Sequence, residues 1–560
     1  MNQPASPNRM WAGRHAVELY VRTYTTMLQS SGEIRIEALQ QAHIGMQSAL
    51  HPLAAEHKVD MGALIYAARR LPAAIAHCGR VLLGQSAGSL RAELQVDILS
   101  WQKVEAPARR RRWYYDGRDT IAALISSASD VDDLVPTLVA YQLEWNKMHA
   151  IIQNVAEGEE KAAVGATDED WIRLQQAWTF GFKDTLDAVR QRTCEMTLRT
   201  IGSTDVGYAR GAHRWWQPIG TALNEMGVGS APVYFVSSNL HSLVNVLSGV
   251  ARQLEKEIIE FVREHDSDLY SELAHIEAGE ISASRDNWLY FAARVLFDSH
   301  PNKAEHSRLR ARMEKEVGIR HIKARAGVAE AGAQVFRLSE LDPTCFDPRV
   351  GIVDPLALKA SNAAIVNIDY PLGFASYYLL REVAEQVGQL KGVYVMGKAA
   401  TLNADVGDVM ICNAVYDEHS DNTYWMENCF TAADVQPHLV YGSALDNQRA
   451  VTVRGTFLQN RDYLEFYYQG RYTVVEMEAG PFLDACFEAS MPGRHPVGEN
   501  VNMTRLGFDL GIVHYASDTP YTQARTLGAR GLSYRGMDST YASAVAVARR
   551  ILANEGALLA

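Results

Sequence analysis

Tyr472-Thr-Val-Val-Glu-Met-Glu-Ala-Gly480 is the stretch that decides how the second half of the chain folds. Its apolar run predicts a short buried strand, and two glutamates follow it directly. About forty residues later, Ile512-Val-His-Tyr-Ala-Ser-Asp518 is again an apolar run that ends in polar side chains. A carboxylate at the end of a buried strand can bind a sugar diol or transfer a proton. The two stretches therefore predict an enzyme site in the last third of the chain.

Length and composition are those of a globular protein with more than one core. The chain has 560 residues, of which 47% are hydrophobic and 21% are charged. A single core rarely organises so long a chain, so two or three domains are expected. The apolar runs are shorter than the roughly 20 residues of a membrane helix, and no apolar signal-peptide core follows the first residues. We therefore expect a cytoplasmic protein that does not contact membranes.

Charge and cysteine content narrow the expected ligands. The net charge of −12 disfavours binding of the whole molecule to nucleic acid. The six cysteines lie far apart, without the C-x-x-C spacing of zinc sites or the density of a disulfide framework. The sequence therefore predicts no metal site, and it favours a small-molecule ligand.

Residues 1–300 are predicted to form a mainly α-helical region of unknown role. Within residues 241–265, apolar side chains recur at steps of three and four residues, which is the spacing of one helix face. Residues 232–241 are either a strand before a capped helix or the first strand of a C-terminal domain interrupted by a helical insertion. The basic run Arg109-Arg-Arg-Arg112 precedes three aromatic residues and could bind a nucleotide. Because the chain is acidic overall, we favour a solvated face or a subunit contact for this run.

The pattern changes after residues 301–348, which form a linker or the start of the next domain. Over residues 349–560, strand-like runs alternate with helical stretches, which predicts an α/β domain with a mainly buried sheet. The predicted strands are Val350–Val353, Ala364–Ile368, Gly392–Met396, Val409–Val415, Val451–Gly455, Tyr472–Glu476 and Leu510–Tyr515.

Several of these strands end in turns that suit ligand binding. The stretch Asp369-Tyr-Pro-Leu-Gly373-Phe-Ala-Ser376 opens a helix, and Gly397 ends the next strand just before Lys398. Glycine lets the backbone bend sharply, and the first N–H groups of a helix point outwards. A third turn, Val406-Gly-Asp-Val409, leads into the following strand. The strand that begins at Val451 is followed by Phe457, whose ring could stack on a flat base.

In this order, the motifs resemble the nucleoside phosphorylase and nucleosidase superfamily. That superfamily includes purine nucleoside phosphorylase, uridine phosphorylase and methylthioadenosine/adenosylhomocysteine nucleosidase. The resemblance covers roughly residues 350–555, and its most specific element is Val475-Glu-Met-Glu-Ala479. It implies a central mixed sheet flanked by helices, cleavage of an N-glycosidic bond and a homo-oligomeric assembly.

The resemblance also implies roles for individual residues. Glu478 would accept hydrogen bonds from the ribose 2′ and 3′ hydroxyls, while Met477 packs against the sugar and Phe457 stacks on the base. Asp518, held by Ser517, would protonate or hydrogen-bond N7 of a leaving purine, because negative charge develops on the base as the bond breaks. Asp518 and Glu478 are thus the expected catalytic residues. Further substrate contacts are expected from Glu476, Gly373, Gly397, Lys398 and His419.

The nucleophile is the part of the reaction that the sequence leaves open. The phosphorylases hold phosphate with an early Gly-Asp-Pro-x-Arg loop and an arginine before the second glycine turn. This chain has Val353-Asp-Pro-Leu-Ala357 and Met396 at those places. Lys398, Arg454 or Arg461 could replace the missing cations. The nucleosidases instead activate water with a glutamate after the first strand, and no such residue is assigned here.

These observations predict a hydrolase that acts on a purine nucleoside or nucleotide without a cofactor. A phosphorylase with phosphate as co-substrate is the first alternative. A non-catalytic sensor that binds a nucleoside and signals through the helical region is the second.

Overall fold

The computed structural model describes residues 7–178, 181–323, 331–519 and 536–559. In these residues, the first part of the chain forms a six-stranded sheet. Its strands are β1 (Glu33–Arg35), β2 (Arg80–Gly84), β3 (Gln102–Ala106), β4 (Arg109–Tyr115), β5 (Thr120–Leu124) and β6 (Thr197–Ile201). They lie side by side in the order β1-β6-β2-β5-β4-β3.

Helices make up most of the regular structure of residues 33–201, as expected, but the sequence pattern did not predict this first sheet. Its central strands β2 and β5 are parallel, and most of their residues are buried. Strands buried on both faces are short continuous apolar runs rather than alternating ones. Such a run has no period that distinguishes it from part of a helix. The clear helical period of the long neighbouring helix, Ala128–Ile152, therefore dominates the sequence pattern.

A second, eleven-stranded sheet is formed by the rest of the described chain. Its strands are β7 (Pro232–Ser238), β8 (Ile319–Ile322), β9 (Ala333–Arg337), β11 (Ala364–Asp369), β12 (Gln389–Thr401), β13 (Val409–Asp417), β14 (Thr423–Trp425), β15 (Ala444–Thr452), β16 (Val474–Glu476), β17 (Asn500–Asn502) and β18 (Asp509–Asp518). The order is β17-β14-β13-β15-β16-β12-β7-β11-β9-β8, and β18 pairs with β12 and β13. The expected strand at 350–353 is reduced to β10 (Ile352–Val353), which pairs outside this sheet with β19 (Leu558–Leu559).

Strand β7 lies between β12 and β11 in the second sheet and is parallel to both. Strand β12 is also parallel to β18 and antiparallel to β16, so the sheet is mixed. The expectation of an α/β fold with a mixed sheet is confirmed. The sheet does not begin at residue 349, because a helical insertion between Ser242 and Glu316 separates β7 from the strands that follow. For residues 232–241, the alternative of a first strand before an insertion is therefore the one observed.

Helices cover both sheets and fill the insertion. They are α1 (Pro7–Ser31), α2 (Gln40–Gly45), α3 (Met61–Arg70), α4 (Ala87–Leu94), α5 (Ala128–Ile152), α6 (Glu160–Ala163), α7 (Asp168–Ala177), α8 (Phe182–Gln191), α9 (Asp205–Glu225), α10 (Ser242–Ser248), α11 (Val250–Gln253), α12 (Glu255–His265), α13 (Ser267–Glu277), α14 (Arg285–Ser299), α15 (Lys303–Glu316), α16 (Pro355–Ala360), α17 (Ala375–Gln386), α18 (Ala432–Val435), α19 (Arg461–Gln469), α20 (Ala479–Ser490) and α21 (Asp538–Asn554). None of the helices in the described ranges has the length and apolar character needed to cross a membrane.

One hydrophobic core connects the two sheets. Leu134 of α5 belongs to the same buried cluster as Val366 of β11 and Phe482 of α20. Hydrogen bonds also cross between the two parts: the Trp215 Nε1 donates to the Ala331 carbonyl at 2.7 Å. Burial of apolar surface is the main stabilising contribution at such a boundary. The two sheets are thus fixed against each other, and side chains from both can line one cavity.

Candidate active site

A cavity of about 280 Å³ lies between the two sheets. The first sheet contributes Arg109–Arg112 of β4, and the start of α5 contributes Asp130. The second sheet contributes the turn Tyr370–Leu372 after β11, together with Gly397 and Lys398 of β12. Glu478, just after β16, completes the polar lining. The cavity therefore joins the basic run of the first sheet to β12, the turn after β11 and the acidic motif of the second sheet.

The two acidic strand ends flank the same residue of β12. Strand β16 is antiparallel to β12, with Val475 opposite Ala400. Strand β18 is parallel to β12, with Asp518 also opposite Ala400. Neighbouring strands lie roughly 4.8 Å apart, so about two strand spacings separate the two segments. The fold thus brings both acidic segments to one end of β12.

Glu476 fixes the turn that presents Glu478. Its side chain is buried, and one carboxylate oxygen accepts hydrogen bonds from the backbone N–H groups of Glu478 and Ala479, at 2.6 and 2.7 Å. The other oxygen accepts a hydrogen bond from the Thr452 hydroxyl. Because both oxygens bind the protein itself, Glu476 holds the start of α20 in place. The expected contact between Glu476 and substrate has no support in this geometry.

Glu478 lines the cavity, as does Asp130. Burial and, to a lesser extent, the neighbouring Glu476 raise the pKa of Glu478 to about 8, while Arg109 and backbone N–H groups oppose the shift. Burial also raises the pKa of Glu476, to about 7. Two carboxyl groups so close together resist double ionisation, since each negative charge disfavours the other. Near neutral pH, this pair therefore carries less negative charge than two ionised glutamates would.

Asp518 ends β18 beside the cavity and is 5% exposed. The Ser517 hydroxyl donates a hydrogen bond to its Oδ1 at 3.0 Å. Burial raises the pKa of Asp518 to about 6, against the opposing effects of Ser517, Arg70 and Lys398. In the described part of the chain, Asp518 is not among the residues that line the cavity, whereas the nearby Lys398 is. A substrate must therefore extend past Lys398 to contact it.

Lys398 lines the cavity and interacts electrostatically with Asp518 of the second sheet and Arg110 of the first. Burial lowers its pKa, Asp518 raises it, and the positive charges of Arg110 and Arg294 lower it further. The neighbouring Gly397 would accept a Cβ without a close contact, since the nearest atoms are 3.8 Å away or more. Gly397 therefore lines the cavity, but a larger residue would also fit at this position.

The basic run of β4 is held by carboxylates of α5. Arg109 binds Asp133, with 2.6 Å between Nη2 and Oδ1, and Arg111 binds Asp130 through Nε and Nη2 at 2.9 and 2.7 Å. Arg111 is only 5% exposed, and Arg110 forms an ion pair with Asp369 at the end of β11. Arg111 and Arg112 are buried, so the run as a whole is not a solvated face, although Arg110 is exposed. The expectation of a subunit contact stays a prediction. The carboxylates that bury this run lie about twenty residues away in sequence, and the aromatic residues after it favour a strand.

Gly373 allows the loop after β11 to approach α5 closely. Its φ is +52°, and an added Cβ would lie 2.6 Å from the Cβ of Ser129 and closer still to its hydroxyl oxygen. The Phe374 N–H donates to that hydroxyl at 2.8 Å. The carbonyl of Met477 is 3.7 Å from the same Cβ position, which places the loop against the acidic motif. Gly373 therefore shapes the cavity, although it does not line it in the described chain.

His419 joins the end of β13 to α5 in a buried contact. Its Nδ1 is 2.8 Å from the Asp417 carboxylate, and its Nε2 is 3.3 Å from the Ser129 hydroxyl. Burial lowers the pKa of His419, but Asp417 more than offsets this and raises it above its ordinary value. Both ring nitrogens are thus engaged within the protein. The expected substrate contact of His419 has no support in its position.

Phe457 lies in the core rather than at the cavity. It is 3% exposed, and its ring centroid is 5.1 Å from that of Tyr66, 6.0 Å from that of His43 and 6.2 Å from that of His51. His43 lies on α2, Tyr66 lies on α3 and His51 lies on the segment between these helices, and together they cover the ring. A base can stack on Phe457 only if they move, so the stacking role inferred from the resemblance has no support here.

The structure therefore separates the candidate residues into two groups. Gly397, Lys398 and Glu478 line the cavity, and the arginines of β4 join them, although the sequence interpretation favoured another role for that run. Asp518 and Ser517 lie at the adjacent strand end. Among the described residues, no three His, Cys, Asp or Glu side chains are placed to hold a metal ion.

Several solved structures are similar to this chain, at low identity. The S-adenosylhomocysteine nucleosidase of Streptococcus pyogenes is 11% identical, and the match covers 57% of this chain and 97% of that one with a TM-score of 0.30. The 5′-methylthioadenosine/S-adenosylhomocysteine nucleosidase of Neisseria meningitidis is 11% identical, and the match covers 56% of this chain and 98% of that one with a TM-score of 0.30. A methylthioadenosine phosphorylase from an Antarctic soil metagenome is 9% identical, with coverages of 33% and 71% and a TM-score of 0.24. Likeness at this level carries no argument about function.

Sequence comparison assigns the family. No curated protein matches the chain. A family model described as a family of unknown function, DUF6909, matches residues 36–553, which is most of the chain. The chain therefore belongs to the DUF6909 family.

Proposed function

We propose that this protein hydrolyses the N-glycosidic bond of a purine nucleoside or nucleotide. The observation that carries the proposal is the cavity in which Glu478, Gly397 and Lys398 meet, with Asp518 at the neighbouring strand end. These residues belong to the motifs that resemble the nucleoside phosphorylase and nucleosidase superfamily. Their convergence at one end of β12 supports reading the motifs as one site.

The proposed chemistry divides the work between the two carboxyl groups. Glu478 accepts hydrogen bonds from the ribose hydroxyls, and its raised pKa lets it share a proton with them. The bond from the anomeric carbon to the purine N9 breaks, and its electron pair goes to the base. Asp518 donates its proton to N7, which neutralises the departing base. The oxygen of a water molecule bonds to the anomeric carbon, and the proton that it releases replaces the one lost by Asp518.

The pKa of Asp518 suits this role. At about 6, it keeps part of the carboxyl population protonated near neutral pH, as a general acid requires. Burial is the main cause, so the acid depends on the packing of β18 rather than on a single partner. A general acid matched in this way contributes roughly 10²–10⁴-fold to the rate.

Base release tests the proposal directly. The purified protein is incubated with adenosine, inosine, guanosine and AMP, and the free base is measured by chromatography. Release by the wild type, reduced about 10²-fold or more in Asp518→Asn, is the expected result. Asp268→Asn, which removes an exposed carboxylate from the first turn of α13, is the matched control. A near-wild-type rate in Asp518→Asn would refute the role of Asp518, and no release from any substrate would refute the proposed function.

A further inference from the structure

The cavity is unusually basic for this chain. The protein carries a net charge of −12, yet the lining holds five cationic side chains, Arg109–Arg112 and Lys398, against the two carboxyl groups of Asp130 and Glu478. The arginines come from the first sheet and the lysine from the second, so the excess arises only where the two sheets meet. Cationic side chains gathered in a cleft attract anionic ligands.

The carboxylates of α5 satisfy this arginine strand only in part. Asp130 and Asp133 bind Arg109 and Arg111. The Nε of Arg109 and the Nη1 of Arg111 are nevertheless buried, with no hydrogen-bond partner among the described residues. Arginine cannot release its proton in a protein, so a buried donor of this kind is stabilised only by an acceptor. Because both atoms are closed to solvent, an anion in the cavity would contact the exposed side chains of Arg110 and Lys398 and would act on these two donors through its charge.

Phosphate is the anion that fits these groups best. A planar guanidinium binds two phosphate oxygens at once, and a lysine adds a point charge without a fixed geometry. Glu478 is the one cavity carboxyl that no arginine pairs directly in the described residues, and burial raises its pKa to about 8. Near neutral pH, it is therefore largely uncharged and repels a phosphate little. A carboxylate ligand would use only part of this donor set.

We infer that the cavity binds a phosphate group against the arginine strand Arg109–Arg112, with Lys398 supplying a further charge from the second sheet. The inference rests on the proposed function only for the identity of the molecule that carries the phosphate. That molecule is either the substrate, as a nucleoside monophosphate, or free phosphate acting as the nucleophile. In both cases, the first sheet serves as one wall of the active site.

Binding of inorganic phosphate tests the inference without requiring catalysis. Calorimetric titration is carried out on the wild type, Arg110→Gln and Lys398→Gln, with Arg35→Gln as the matched control. The Arg110 side chain is 59% exposed, so its loss should leave the fold intact. Arg35 is similarly exposed, and its side chain pairs with Glu37. We expect binding by the wild type and the control, weakened about tenfold or more in each cavity variant. No binding by the wild type, or equal binding by all variants, would overturn the inference.

Activity assays then distinguish the two sources of phosphate. Base release from AMP without added phosphate, with adenosine a much poorer substrate, assigns the phosphate to the substrate. Arg110→Gln should then raise KM for AMP about tenfold and leave KM for adenosine nearly unchanged. Base release from adenosine that requires phosphate, with ribose 1-phosphate as product, assigns the phosphate to the nucleophile and would refute the proposed hydrolysis.

The two proposals can fail separately. Base release from adenosine by a protein that binds no phosphate would overturn the inference and leave the proposed function standing. Phosphate binding that depends on Arg110 and Lys398, without base release from any substrate, would support the inference and overturn the proposed function.

Discussion

Replacing Gly373 by alanine should destabilise the junction between the two sheets in two separable ways. At φ +52°, an alanine costs about 1 kcal/mol relative to glycine. The new Cβ would also lie 2.6 Å from the Ser129 Cβ, and overpacking of this kind costs about 2 kcal/mol. We therefore expect Gly373→Ala to lower the free energy of unfolding by about 3 kcal/mol.

A second substitution separates the steric part from the backbone part. In a Ser129→Gly background both close contacts vanish, and the next atom is the Met477 carbonyl oxygen at 3.7 Å. There, Gly373→Ala should cost only the backbone strain of about 1 kcal/mol. In a Ser129→Ala background the Cβ of residue 129 remains, so Gly373→Ala should still cost about 3 kcal/mol. The coupling energy between the two substitutions should therefore be about 2 kcal/mol with Ser129→Gly and close to zero with Ser129→Ala.

Urea denaturation followed by tryptophan fluorescence measures these differences, since Trp113 and Trp145 are buried. Each single and double variant is compared at constant m-value, so that changes in the midpoint report stability. Equal costs of Gly373→Ala in the Ser129→Gly and Ser129→Ala backgrounds would refute the steric argument. A cost below about 1 kcal/mol in the wild-type background would refute the backbone argument as well.

Three further predictions concern the chemistry and the core. If Asp518 is the general acid, hydrolysis should slow as pH rises above about 6, because the protonated form of Asp518 is lost. Asp518→Asn should abolish this fall in the pH–rate profile, and a fall that persists in the variant would contradict the assignment. Glu478→Gln should slow the cleavage of ribonucleosides more than that of 2′-deoxynucleosides, because fewer sugar hydroxyls remain to be bound; equal losses on both would argue against a ribose contact. Phe457→Leu should lower stability by about 1 kcal/mol and leave KM unchanged, because the ring is a core residue; a selective rise in KM would show that it stacks on the base after all.

Local chemistry made part of the site predictable from the sequence. Glu478 follows a strand as predicted, whereas Gly397 and Lys398, predicted to end a strand at Met396, lie within the longer β12. The order of these motifs along the chain is a local property, so it persists whatever packs against them. The structure brings these three residues into one cavity. The same reasoning identified the α/β character of the second sheet, because its strands are apolar runs bounded by turns.

What the sequence could not provide is the environment that distant segments create. Phe457 occupies the position expected of a base-stacking ring, but His43 and Tyr66, roughly 400 residues earlier, cover it. The Arg109–Arg112 run is typical of a solvated surface until Asp130 and Asp133 of α5 and Asp369 of β11 pair with it. Burial and pairing of charges depend on tertiary contacts, so composition alone could not predict the burial of Arg111 and Arg112.

The position of β7 bears on how the protein can be divided and synthesised. A fragment of residues 349–560 would lack the strand between β11 and β12, which would leave two unpaired edges in the middle of an apolar sheet. Exposed edges of that kind promote aggregation, so such a fragment should be a poor candidate for expression on its own. On the ribosome, β7 emerges more than a hundred residues before either partner strand. During synthesis, β7 therefore cannot pair with β11 and β12 until both have emerged, and other contacts must cover it in the meantime.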